Sequence, residues 1–182
     1  NIKVGVQDDL SYSYIGFKLG KWDKEKGEAI PDPNAKMADV KLRQAMAYAI
    51  DNDAVGAKFF QGLRRNATQL MIPAFKEFYD NSLKGYTLDV EKAKQLLDEA
   101  GYKDVNGDGL REDKNGQPFK IKFASMSGGS TAEPIANYYI QQWRSIGLDV
   151  ELATGRLIEF NSFYEKIQND DPEIDVYQGA WG

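Results

Sequence analysis

Three short stretches in the second half of the sequence alternate apolar and polar residues, and the helical patterns that separate them leave few folds open. Phe119, Ile121 and Phe123 alternate with Lys120 and Lys122; Leu148, Val150 and Leu152 alternate with Asp149 and Glu151; Ile174 and Val176 alternate with Asp175 and Tyr177. A period of two is the mark of a strand with one buried face. Strand-helix-strand-helix-strand with short connections predicts a parallel sheet with right-handed crossovers, and such sheets bind ligands beyond the carboxyl ends of their strands. Those ends are residues 125–129, 153–155 and 179–181. Because the sequence stops just after the third strand, the sheet is expected to be part of something larger.

The helical segments are marked by their ends. Ser130 and Glu133 have capping-box spacing, Pro134 suits a first turn, and Ile135, Tyr139, Gln142, Trp143 and Ile146 then keep helical spacing until Gly147. Leu157, Phe160, Tyr164 and Ile167 make a second stripe. Upstream, Asp39 is placed to cap a helix carrying Leu42, Ala45, Met46, Ala49 and Ile50. Asp89 is placed to cap another with Val90, Ala93, Leu96, Leu97 and Ala100, stopped by Gly101. These stripes read as core. Arg43 reads as a surface salt-bridge partner, and Tyr12, Tyr14, Tyr48, Tyr79, Tyr86, Tyr138 and Tyr139 as half-buried aromatics with wet hydroxyls. The irregular stretch 61–87 is too long for a connector and is expected to pack over the body and line the mouth of a cleft.

Composition narrows the function. A net charge of −5, with no basic cluster longer than Arg64-Arg65, argues against a nucleic-acid partner. No apolar run is long enough to span a membrane. Asn1 cannot be a translation start, so the chain is expected to be processed or excised. There are no cysteines, which removes disulfides and thiolate chemistry, and no histidines, which removes the commonest general base and the usual transition-metal ligand. Catalysis would rest on carboxylates such as Asp170-Asp171 or Glu112-Asp113, which sit in polar stretches and read as solvated loops. No nucleotide-binding or zinc motif is present, so no enzyme is expected.

One motif carries specific chemistry. Asp104, Asn106 and Asp108 place oxygen donors at alternate positions, Gly109 takes the sixth place, and Leu110 could offer its carbonyl, as in the first half of a calcium loop. The twelfth place is Asn115 instead of Glu, so Glu112 or Asp113 would have to complete the shell. The alternative is a turn without metal, since Asn-Gly and Asp-Gly are strong turn formers. Any calcium would be structural; no other cofactor is expected.

The run from Asp39 to Asp51 (D-V-K-L-R-Q-A-M-A-Y-A-I-D), the run from Asp89 to Tyr102 (D-V-E-K-A-K-Q-L-L-D-E-A-G-Y), W-R-S-I-G-L from Trp143 and the stretch from Asp175 to Trp181 together resemble the oligopeptide-binding proteins of bacterial ABC importers, extracellular family 5. The resemblance implies an α/β fold: one lobe of a type II periplasmic-binding-protein-like fold, with a mixed, mostly parallel sheet flanked by helices, and residues 1–182 as that single carboxy-terminal lobe. It implies a peptide ligand, a membrane permease and an amino-terminal lobe of the same protein as partners. It also implies an extracellular setting, with a lipid anchor in the full-length protein. Trp181 matches a cleft tryptophan, and Gln178 stands where some members carry an arginine that pairs with a peptide carboxylate. Glutamine lacks that charge, which favours reading the peptide backbone through neutral hydrogen bonds. Ser127, Gly128 and Gly129, with Ser130, could present N–H groups to a ligand at a helix start, or could only turn and cap the chain. Three other readings stand beside this one: a calcium-stabilised adhesion module, a carboxylate hydrolase, and a binding protein for a sugar, metal chelate or signalling peptide.

Overall fold

The computed structural model describes residues 1–182 as an α/β body. In chain order its elements are β1 (Tyr12–Phe17), β2 (Gly20–Asp23), β3 (Glu28–Pro31), α1 (Val40–Tyr48), α2 (Asn52–Phe60), α3 (Val90–Ala100), β4 (Lys120–Ala124), α4 (Ala132–Ser145), β5 (Asp149–Leu152), α5 (Phe160–Gln168) and β6 (Val176–Trp181). The main sheet has the order β1-β6-β4-β5. β4 runs parallel to both β5 and β6, as the strand-helix-strand order predicts. β1 adds an antiparallel edge that sequence periodicity missed, because its tyrosines, serine and glycine do not alternate in polarity. The β2–β3 hairpin was likewise not foreseen.

One face of the sheet carries Ile121, Phe123, Val150 and Val176 into the main core with α1, α3 and α4. Trp143 of α4 sits at its centre, meeting Phe123 edge-on at 5.1 Å, stacking on Tyr139 at 5.7 Å and donating its indole N–H to the Met46 carbonyl at 3.0 Å. That hydrogen bond lets a large ring be buried without stranding its one polar atom. On the opposite face Lys120 and Lys122 share Glu151 at 3.0 and 2.8 Å. Nearer the carboxyl ends of the strands, Ala124, Ile158, Phe163 and Ile174 form a smaller cluster under α5.

Local chemistry sets most helix ends. Asp39 accepts from the Lys41 N–H at 2.9 Å to cap α1, Asp51 from Ala54 to cap α2, and Asp89 from Lys92 to cap α3, which Gly101 closes at φ 95°. Burial pushes the Asp39 carboxyl up, but Lys114 and the N–H groups of Lys41 and Leu42 outweigh it and hold the group below its ordinary value.

Four expectations are corrected. The Ser130–Glu133 capping box does not form: α4 starts from Thr131, which is already in a helical conformation and makes no side-chain cap. The α5 stripe is rotated, so that Phe163 is fully buried while Phe160 is 57% exposed, and Leu157 lies before the helix, which Glu159 caps. Arg43 makes no ion pair; it donates to the Met37 and Ala38 carbonyls at 2.7 and 2.9 Å, closing the turn ahead of α1. Asp170 and Asp171 are not free in solvent but pair with Lys18 at 2.9 Å and Lys166 at 3.0 Å. Backbone donation from Glu173, with Lys166 beside it, holds Asp171 below the ordinary carboxylate value.

Candidate ligand-binding cleft

A cleft of about 510 Å³ lies along the carboxyl-terminal half of β6, and the expected rim is corrected: of the three strand ends, residues 125–129 and 153–155 do not line it and only Ala180 of 179–181 does. One wall is the ribbon in which β6 outruns β4 and continues against β1 alone, pairing Ile15 with Gln178 and Ser13 with Ala180. These four residues share one face because side chains alternate along a strand. On the ribbon's other face, Tyr177 lies over Gly16 and Tyr14 over Gly179; a Cβ on either glycine would stand 2.4 or 2.7 Å from the facing ring. The two rings meet edge-on at 5.9 Å. Burial, then the hydrogen bond to Tyr177, pushes the Tyr14 hydroxyl up to about 12, so it stays neutral.

The second wall is α2 with the segment that follows it. Asn66 fixes that segment, accepting from Asn52 at 2.9 Å, donating its side-chain amide to the Tyr86 carbonyl at 2.8 Å and its backbone N–H to Asp53 at 2.7 Å. Thr68 with Tyr79, and Gln69 with Asp80, brace the remainder. Residues 61–87 thus pack over the body and line the cleft, as their length and lack of periodicity suggested. Ile135 and Tyr139 of α4 form the floor. Burial raises the Tyr139 hydroxyl to about 12.

Of the five ligand candidates, Gln178 alone lies in this cleft. Its carbonyl oxygen accepts from the buried Ser125 hydroxyl at 3.1 Å, which ties β6 to the end of β4 and leaves the amide N–H₂ without a protein partner. Trp181 is 68% exposed and, three residues on, belongs to the other face of the ribbon. Ser127, Gly128 and Gly129 are exposed and outside the cleft wall. The Ser127 N–H is spent on the Ile158 carbonyl at 2.7 Å, and the two glycines turn the chain at φ 136° and 67°. Sequence reasoning passed over Arg64, for which the basic doublet was the one signal available, and expected Tyr139 to be half-buried with a wet hydroxyl, whereas it is 7% exposed.

The Asp104 loop lies apart from the cleft and shares no lining residue with it. Carboxylate oxygens of Asp104, Asp108 and Glu112 come within 4.8 Å of one another. Glu112 reaches them because its backbone bridges to Lys103 across the base of the loop; at 7% exposure it is buried, not the solvated loop acid expected. The same donors also hold the turn: Asp104 accepts from Gly107 and Gly109, Asn106 from Asp108, Asp108 from Leu110, and Glu112 from Val105. The oxygen-only donor set fits a hard cation such as Ca²⁺.

Residues 1–182 match, along their whole length, the family described as bacterial extracellular solute-binding proteins, family 5 Middle. The chain belongs to that family. The oligopeptide-binding protein OppA of Lactococcus lactis subsp. lactis strain IL1403 is 39% identical over 182 residues, covering 98% of this chain and 30% of the relative. Among solved structures, lactococcal OppA complexed with an endogenous peptide in the closed conformation superposes with a TM-score of 0.89 at 36% identity, over 96% of this chain and 33% of the other. AppA of Bacillus subtilis in complex with a nonapeptide gives a TM-score of 0.76 at 28% identity, over 94% of this chain and 31% of the other. This family-5 chain therefore spans about 30% of the length of the curated relative it matches. No helix in it is long and apolar enough to cross a membrane.

Proposed function

We propose that residues 1–182 form one lobe of an extracellular solute-binding protein that captures oligopeptides and delivers them to an ABC-type membrane permease. The observation that carries the reading is the cleft between the β1–β6 ribbon and the α2 segment, in a chain whose fold matches lactococcal OppA holding a peptide. Its wall offers what an extended backbone needs. The free amide of Gln178 can donate to a peptide carbonyl, Ser13 can donate or accept, and Ile15, Ile135 and Tyr139 supply apolar surface. The cleft is open on one side, so a second lobe closing over the ligand would complete its burial, and binding would shift the open and closed populations. The role involves no chemical step. A lipid anchor would hold the full-length protein at the cell surface, and a structural Ca²⁺ held by Asp104, Asp108 and Glu112, with Asn106 and the Leu110 carbonyl completing the shell, belongs to the same proposal.

Isothermal titration of the full-length protein and of the isolated chain against a mixed peptide library tests it. The full-length protein binds, whereas the isolated chain, lacking one wall, binds weakly or not at all. Binding of equal strength by both would show that the second lobe is dispensable and the site misplaced.

A further inference from the structure

Four charged residues line the cleft: Asp8, Asp9, Arg64 and Arg65. Three of them are already engaged. Arg65 pairs with Asp8 at 3.1 Å. The two carboxylate oxygens of Asp9 accept from the Leu10 N–H and the Ser11 hydroxyl, both at 2.7 Å, which fold its own turn. Arg64 has neither an ion pair nor a hydrogen bond for its guanidinium, which instead lies 3.8 Å from the centre of the Phe60 ring. Stacking uses the flat face of a guanidinium and leaves its N–H edge open, the geometry that meets a carboxylate with two parallel hydrogen bonds.

The backbone beneath this arginine is fixed as well. Gly56 of α2 packs directly on it, so closely that a Cβ there would stand 1.9 Å from the Arg64 carbonyl oxygen. The Gly62 N–H also bonds to the Gly56 carbonyl at 3.0 Å, tying the same turn to the helix. A cation held at both its backbone and its flat face loses little freedom on binding. It also stands close enough to the aromatic floor for its charge to draw the Tyr139 hydroxyl downward against the effect of burial.

Resting on the peptide-binding reading above, we propose that Arg64 is the carboxylate-binding residue of this cleft, selecting peptides that bring an acidic side chain or a free C-terminal carboxylate to the Phe60 wall. It supplies the charge that Gln178 cannot, from the opposite wall.

The test uses the full-length protein and one neutral peptide in three forms: free C-terminal acid, C-terminal amide, and amide with a single Glu scanned through its positions. Wild type binds at least one carboxylate-bearing form about tenfold or more tighter than the neutral amide. Arg64→Gln brings the carboxylate-bearing and neutral forms to equal affinity, the ratio between them being the readout, and Arg64→Lys retains part of the preference. The form that shows the effect identifies the source of the carboxylate. A preference that survives in Arg64→Gln, no preference in wild type, or an equal loss for all three forms overturns the assignment to Arg64 while peptide binding stands. Failure of wild type to bind any form, or any peptide of the mixed library, overturns the peptide reading itself and this assignment with it.

Discussion

Replacing Gly56 with alanine sets two local rules against each other. In the interior of α2 the change should stabilise, because glycine costs a helix about 0.5–1 kcal/mol relative to alanine. The tertiary contact opposes it. The new Cβ would stand 1.9 Å from the Arg64 carbonyl oxygen and 2.7 Å from its carbon, while ordinary contact begins at 3.4 Å, so the loop must retreat by about 1.5 Å. The atoms in the way are backbone, and no side-chain rotation relieves them. Retreat pulls on the Gly62 N–H to Gly56 carbonyl bond at 3.0 Å and the Leu63 N–H to Phe60 carbonyl bond at 2.9 Å. Overpacking of this kind costs roughly 1–3 kcal/mol and each weakened hydrogen bond about 0.5–1.5 kcal/mol. After the helical gain is subtracted, Gly56→Ala is expected to destabilise by at least about 1 kcal/mol. For a chain of this size that lowers Tm by roughly 2–4 °C or more. Thermal melts followed by circular dichroism, with urea titrations to confirm an unchanged m-value, measure it. A Tm equal to or above wild type would refute the reasoning, because it would mean that the loop does not rest on α2 and that the cleft wall is misplaced.

Two further perturbations probe the body of the fold. The Asp39 carboxyl is held below its ordinary value of 3.8, so its contribution to stability is present above that pH and is lost as pH falls through the lower, folded-state value. Asp39→Asn is expected to flatten the acid limb of a stability-versus-pH curve as pH falls below 3.8, and acid limbs of the same shape in both proteins would exclude Asp39 as its source. Chelation is expected to lower Tm by a few degrees, with re-addition of Ca²⁺ restoring it, since an ion that binds only the folded loop stabilises it by mass action. A melt indifferent to both treatments would remove calcium from the Asp104 loop. A drop of many degrees would favour a calcium-dependent structural module over a transport role.

The sequence alone settles the features whose causes are local. Alternation around Ile121, Val150 and Val176 marks these segments as strands and sets their buried face, and Asp39, Asp89 and Gly101 decide three helix ends, because in each case the signal lies within a few residues. Tertiary structure decides what depends on distant partners. β1 is a strand because β6 pairs with it from the far end of the chain, with Tyr14 lying over Gly179 and Tyr177 over Gly16. Phe163 and not Phe160 faces the sheet because helical spacing leaves the rotation of α5 open until Ala124 and Ile174 pack against it. The cleft is the clearest case. Gln178 could be placed at a strand end by reading the chain, but Arg64 stands across from it only because a glycine in α2 lets a loop without periodicity settle on the helix. Periodicity is a property of neighbours along the chain, whereas a binding wall is made where close packing brings remote segments together, and only the folded body contains that information.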